Sequence, residues 1–290
     1  MKNTIQIFVL FLSLTTIFSC ESKRDIDGDL LIGLHDHDPN NGENPPAIKH
    51  LSKVTKTDAD GEQSINTYNY TDGKLTSATI SADGSTEDFT LTYDDEKITK
   101  LTVINSDGTA TSTTDLTLTY LENGKLDSAI GTTKTEGSAE IWQNENIFSY
   151  AGSGKLSKIE TTIKKDDPEN PGEYIEVSSQ TSEISFNSNN VSFWRFNSSA
   201  PLQMQTTFGD YDNFRNPFAS LPSAFILASA HFNISGNGII GLSGNNFRTT
   251  QVIINSKSQE NTISYKYDAD GYPTHATYSD GSTIEFEYQP

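Results

Sequence analysis

The C-terminal stretch Asn261 to Tyr288 constrains the chain most. It reads as three short runs, Ile263–Tyr267, Tyr272–Tyr278 and Ile284–Tyr288, separated by Asp270-Gly271 and Asp280-Gly281. Apolar and polar residues alternate in part within each run, as they do in a strand with one buried face. Asp-Gly supplies the positive φ of a tight hairpin turn, so the whole is a β-meander.

Weaker copies of this unit begin near residue 48. Their common core is a turn, a basic or polar residue, an aliphatic residue, two polar residues and a second aliphatic. It occurs as His50-Leu51-Ser52-Lys53-Val54, Gly73-Lys74-Leu75-Thr76-Ser77-Ala78 and Lys97-Ile98-Thr99-Lys100-Leu101. It recurs as Gly124-Lys125-Leu126-Asp127-Ser128-Ala129, as Gly154-Lys155-Leu156-Ser157-Lys158-Ile159 and, degenerately, as Gly271 to Ala276. The leading aliphatics at 51, 75, 98, 126 and 156 give a period that starts near 23 residues and lengthens, and such self-similarity marks a repeat architecture. Each core is expected to follow a strand that ends in an aromatic, as at Tyr70, Tyr93, Tyr120 and Tyr150. The apolar spacing of three in Leu75-x-x-Ala78 and Ile98-x-x-Leu101 breaks the strand period of two. A β-bulge at one fixed place in every unit accounts for it and would curl the sheet.

The units resemble the YD-repeat (Rhs-type) family. Tyr265-Lys266-Tyr267-Asp268-Ala269-Asp270-Gly271, with Asp280-Gly281 and Tyr288, carries the resemblance best, and Tyr93-Asp94 keeps the dipeptide. Tyr120-Leu121 and Tyr150-Ala151 lose the Asp. The resemblance covers residues 48–165 and 260–290 and implies strand-turn-strand units in one long antiparallel sheet. It implies no single activity. The expected fold is therefore all-β: an extended, twisted antiparallel sheet of such hairpins with one short helical insert. A β-sandwich or a closed barrel is the alternative arrangement.

The expected organisation is a signal peptide at 1–19, a flexible tether at 20–47 and one β domain at 48–290, broken by an aromatic-rich insertion at about 166–260. Lys2 precedes an apolar run from Ile5 to Phe18 that ends in Ile17-Phe18-Ser19-Cys20. The run fits a secretory h-region. A small residue directly before Cys resembles the lipobox of bacterial lipoproteins, which implies cleavage before Cys20 and lipidation of it. Cys20 is the only cysteine, so no intramolecular disulfide can use it. The acids Asp25, Asp27 and Asp29 behind it resemble the surface-export signal of lipoproteins from the Bacteroidota. The expected place is the outer membrane, lipid-anchored, at the cell surface or the periplasmic face.

A formal charge of −19 argues against nucleic acid as a partner, because nothing neutralises phosphates. Ser223 to Ala230, directly after Pro222, is apolar nearly all round and reads as the one helix, buried over the sheet. Gly-x-Ser-x-Gly, Walker-type and His-Glu-x-x-His motifs are absent from the sequence, and no catalytic set emerges. His35 and His37, with Asp36 and Asp38, are adequate ligands for a metal, but the turn formers Pro39 to Gly42 make a solvated linker the better reading. No cofactor is expected. Trp194, Arg195, Tyr211 and Phe214 lie in the aromatic-rich stretch and are the candidates for binding a glycan, a peptide or an envelope protein; burial in a core is the competing role for such rings. The expected function is a non-catalytic binding or structural module of the cell envelope. An envelope enzyme acting on glycan or peptide and a small-ligand or lipid carrier are the alternatives.

Overall fold

The computed structural model describes residues 49–170, 172–198, 203–229 and 237–289. Cys20, His35, His37, the signal peptide and the tether lie outside these residues. Sixteen strands follow one another: β1 (His50–Thr57), β2 (Gln63–Thr71), β3 (Lys74–Ala82), β4 (Ser85–Asp94), β5 (Lys97–Ser106), β6 (Thr111–Tyr120), β7 (Leu126–Thr135) and β8 (Ile141–Tyr150). Then come β9 (Leu156–Asp166), β10 (Tyr174–Asn187), β11 (Asn190–Ser198), β12 (Gln203–Arg215), β13 (Asn245–Ile254), β14 (Lys257–Tyr267), β15 (Pro273–Tyr278) and β16 (Thr283–Gln289). Each pairs antiparallel with its sequence neighbours, and β1 pairs with β16 from His50↔Gln289 to Thr57↔Thr283. The sheet is thus a closed up-and-down barrel. Of the arrangements open to the sequence, the closed barrel forms and the open extended sheet does not. Closure satisfies the backbone groups that two free edges would leave exposed.

The repeat builds the wall in three ways. First, Asp72-Gly73 and Asp83-Gly84 have positive φ at both residues, the conformation that turns a two-residue hairpin with the twist of its strands. Second, the expected bulge is present. Pairing slips at Asn69/Tyr70 against Leu75/Ser77, and again beside Tyr93, Tyr120, Tyr150, Phe186 and Tyr267. The extra residue is usually Thr or Ser, and its hydroxyl donates to a carbonyl on the paired strand. Thr76 bonds Asn69 O, Ser157 bonds Ser149 O, Ser192 bonds Ser185 O and Thr274 bonds Lys266 O, at 3.1–3.2 Å. The bulge lets aliphatic residues three apart, Leu75 and Ala78 or Ile98 and Leu101, all face inward and be buried.

Third, a tyrosine ladder runs round the barrel. On alternate strands Tyr70, Tyr93, Tyr120, Tyr150, Tyr265 and Tyr288 donate their hydroxyls to Leu51, Leu75, Ile98, Leu126, Phe247 and Pro273 carbonyls at 2.7–3.1 Å. Tyr211 does the same to Val191 O. Phe186 on β10 takes the remaining place without a hydroxyl. The lysine of each core caps the ring that follows it: Lys74 lies over Tyr93, Lys97 over Tyr120, Lys125 over Tyr150 and Lys155 over Phe186, with Nζ 5.0–5.5 Å from the centroid. Lys74, Lys125 and Lys155 also donate to carbonyls of the next turn, those of Asp95, Gly154 and Ser188.

The wall has a definite polarity. On β4, Phe89 and Leu91 are buried while Asp88, Thr90 and Thr92 are exposed; on β6, Leu116 and Leu118 are buried while Asp115, Thr117 and Thr119 are exposed. The outer surface carries ion pairs between neighbouring strands, Lys53–Glu287, Lys100–Asp115, Lys164–Glu145 and Arg195–Glu183. The apolar side faces the lumen. Eight strands enclose a space that wall side chains can fill, and sixteen enclose more than that. The connection between β12 and β13 helps to fill it, with a 3-10 turn at Pro217–Ser220, α1 (Ser223–Ser229) and α2 (Asn237–Ile240). Phe225, Ile226, Leu227 and Ala228 of α1 are buried, and Phe225 meets Phe89 edge-on at 5.7 Å. Phe218 meets Phe286 in the same way at 6.1 Å. A helix this short is stable only because its surroundings bury it. Strands β10 to β13 fall within the stretch read as an insertion at about 166–260 and belong to the same barrel. Among the described residues the array is broken only between Arg215 and Asn245.

Candidate functional site

The strands that enter and leave the helical insert hold a group of buried polar residues. Asp212 is buried, 7% exposed, near the end of β12. Its carboxylate accepts from the amide of Phe214 at 2.9 Å, from the amide of Asn246 at 3.3 Å, from Asn246 Nδ2 at 3.3 Å and from the hydroxyl of Tyr267. Asn246 Nδ2 also reaches the Arg215 carbonyl at 3.2 Å. Burial, reinforced by the adjacent carboxylate, pushes the Tyr267 phenol well above its usual range. Phe214 stacks on the Tyr267 ring at 4.0 Å. A buried carboxyl group wrapped by four donors has its hydrogen-bonding capacity taken up within the protein. The group joins β12, β13 and β14 at the two ends of the insert.

A second group sits where the described chain enters the barrel. The Tyr272 hydroxyl accepts from the Lys49 amide at 3.2 Å and from Arg215 at 2.8 Å, and both cations lie over its ring, at 5.5 and 5.3 Å from the centroid. Lys49 Nζ bridges Asp268 at 2.8 Å and Asp270 at 2.6 Å, which holds its ammonium above the ordinary lysine range. Burial alone would raise the Asp268 carboxyl; Lys49 and the amides of Tyr272 and Asp270 outweigh it and hold the group low. Lys49 thus answers both carboxylates, and Arg215 is held by the Tyr272 hydroxyl and ring.

The four residues singled out from the sequence do not converge. Trp194 faces the lumen, 7% exposed, and its indole N–H has no hydrogen-bond partner among the described residues. Arg195, the next residue on β11, is on the outer face, paired with Glu183 at 3.3 Å and lying over Phe193. Tyr211 belongs to the ladder, and burial pushes its phenol up to about 12. Phe214 covers Tyr267. Consecutive strand residues point to opposite faces, so Trp194 and Arg195 cannot share a pocket. The sequence reading overlooked Asp212, Asn246 and Tyr267 as a group, because the three are brought together from three strands.

Between the insert and the wall, Val54, Asn66, Phe218, Phe247, Tyr265 and Phe286 help to line a cavity of about 40 Å³. That holds about one water, against the ~300–1,000 Å³ typical of ligand pockets. Among the described residues no group of three or more His, Cys, Asp or Glu side chains could hold a metal ion, and no helix is long and apolar enough to cross a membrane.

No family model matches the sequence, and no curated protein matches it. Among solved structures the chain is similar to a porin-like protein from Bacteroides uniformis, at 16% identity over 82% of this chain and 96% of that one, with a TM-score of 0.45.

Proposed function

We propose that this chain is a non-catalytic binding or structural module of the cell envelope, held at the outer membrane by lipid on Cys20, with its barrel in water rather than in the bilayer. The polarity of the wall carries this reading. A membrane-spanning barrel presents an apolar band outward, flanked by aromatic girdles, and keeps polar residues inside. Here Asp88, Thr90, Thr92, Asp115, Thr117 and Thr119 are exposed on the outer face, together with ion-paired lysines. An outward lysine at the bilayer midplane costs about 2–4 kcal/mol, so such a wall favours water. Lipid on Cys20 supplies the membrane attachment that the wall does not, since several acyl chains at about 0.8 kcal/mol per buried CH₂ anchor a protein stably.

A non-catalytic role fits the way the Asp212 carboxylate is taken up by the Phe214 and Asn246 amides, the Asn246 side chain and the Tyr267 hydroxyl. Whether the partner is a glycan or an envelope protein, the surface that meets it is on the outside of the barrel or at its rims.

Fractionation of cells expressing Cys20→Ala tests the anchor: the variant is expected in the soluble fraction, and its retention in the membrane sinks the lipid reading. Protease treatment of intact cells then separates surface display from the periplasmic face. For the wall, Trp142 and Trp194 fluorescence should be unaffected by bilayers of brominated lipid. Strong quenching would place the wall in the membrane.

A further inference from the structure

An up-and-down barrel has two rings of connections, and here the two differ in charge. The connections after the odd-numbered strands form the far ring. The sequence gives them Asp58, Asp60, Glu62, Asp83, Asp107 and Asp280 among other acids, and no lysine or arginine in any of them. Lys56 and Lys257, at the strand ends beside this ring, are too few to match its acids, although Lys56 pairs with Asp58 at 2.8 Å. The crowding is felt locally: the carboxylates of Asp83 and Asp60 push the Glu62 carboxyl above its ordinary range. The connections after the even-numbered strands form the other ring, which holds the helical insert between β12 and β13. Acids and bases are mixed there. Lys74 pairs with Glu96 at 2.8 Å, Lys49 bridges Asp268 and Asp270, and Lys125, Lys155 and Arg215 lie in the same ring.

The chain also joins the barrel in the insert ring. Lys49 is fixed there by its two ion pairs and by the bond from its amide to the Tyr272 hydroxyl, and the next strand residue but one, Leu51, donates its amide to Ser220 of the insert at 3.3 Å. Chain length alone does not choose the end that meets a membrane. The residues between Cys20 and Lys49 could span roughly 95 Å fully extended, far more than the roughly 33 Å of a ten-residue strand. Charge does choose. An anionic bilayer surface acts on charges within a Debye length of about 8–10 Å and repels unmatched carboxylates. The far ring offers it many of these and the insert ring few. We propose that the barrel stands end-on at an anionic lipid surface, with the ring of the helical insert toward the headgroups and the acidic ring, by repulsion, turned away.

This orientation rests on the lipid anchor inferred above, and the two fail separately. Ala139 and Ala151 are exposed and flank β8, one in each ring. Ala139→Cys and Ala151→Cys are each labelled with a maleimide fluorophore on the lipidated full chain, whose Cys20 sulfur is blocked by its lipid. Each is placed on vesicles of phosphatidylcholine and phosphatidylglycerol that carry an acceptor dye on the headgroups. Energy transfer should be severalfold stronger from position 151 than from position 139. The difference should shrink on vesicles of phosphatidylcholine alone, and in high salt, which screens the repulsion. Equal transfer from the two positions, or stronger transfer from position 139, overturns the proposal. So does a difference that is undiminished on the neutral vesicles, because the repulsion would then play no part. Flotation of the same vesicles separates the two inferences. A chain that does not float with them sinks the anchor and the orientation with it, whereas a floating chain with equal transfer sinks the orientation alone.

Discussion

The Tyr93 hydroxyl donates to the Leu75 carbonyl oxygen at 2.9 Å, fastening the last turn of one hairpin to the first residues of the strand before it. The same bond recurs on alternate strands round the barrel. Tyr93→Phe removes the donor while keeping the ring under Lys74. The expected loss is about 1 kcal/mol, the net value of one hydrogen bond. That lowers the melting temperature by about 2–4 °C for a domain of this size. Thermal and urea unfolding of the variant against the parent checks it.

Gly131 on β7 pairs with Leu116 on β6, and the two backbones approach closely there. A Cβ at Gly131 would lie 1.6 Å from the Asp115 carbonyl oxygen and 2.8 Å from Leu116 Cα. Both contacts are backbone and cannot swing aside. Gly131→Ala is expected to destabilise by about 3 kcal/mol or more, the upper end for overpacking. Gly152→Ala meets nothing within 4 Å and should change stability by less than about 0.5 kcal/mol. Denaturant midpoints of the two variants should differ accordingly.

Phe225→Ala empties the part of the lumen where α1 meets Phe89. Truncating a buried Phe costs about 3–5 kcal/mol, because the wall cannot collapse into the space left. Near-ultraviolet circular dichroism should report loosened packing of the insert, with the strand signal retained at low temperature.

Glu87 shares a strand face with the buried Phe89 and Leu91. Burial raises its carboxyl pKa above 4.5, and a hydrogen bond with Asn105 only partly opposes this. A carboxyl raised on folding favours the folded state while protonated and weakens it once ionised. Stability from this group is therefore lost as pH rises through the folded pKa. Glu87→Gln should melt higher than the parent at pH 7, and the gap should close as pH falls below 4.5. Melting curves of both proteins across that range decide the sign.

The hairpin unit was legible in the sequence because its chemistry is local. Asp-Gly writes the turn, the Gly-Lys-Leu-Ser/Thr pattern writes the cap, the inward aliphatic and the bulge, and the tyrosine writes the ladder. Where those residues change, the unit disappears from view although the geometry persists. On β10 and β11 the turn is Ser188-Asn189, the inward aliphatic is Val191, the bulge hydroxyl is Ser192 and the ladder ring is Phe186. This is why 166–260 read as an insertion. Closure was not legible, since the β1–β16 pairing joins strands from opposite ends of the domain and has no local signature. The polar cluster at Asp212 was hidden for the same reason. The opposite orientation of Trp194 and Arg195, by contrast, was present in the period of two and was passed over.

The pairing of His50 with Gln289 has a consequence for how the domain relates to its own chain order. The ladder passes from Tyr288 to Tyr70 across this seam with its donor bonds intact, so the wall has no structurally distinct first strand. A linker from Gln289 to Lys49, with new termini opened at Asp83-Gly84, would rewrite the order of the strands and leave every pairing in place. The order of the strands begins and ends at the seam, but the fold is a ring and could be cut at any of its hairpins.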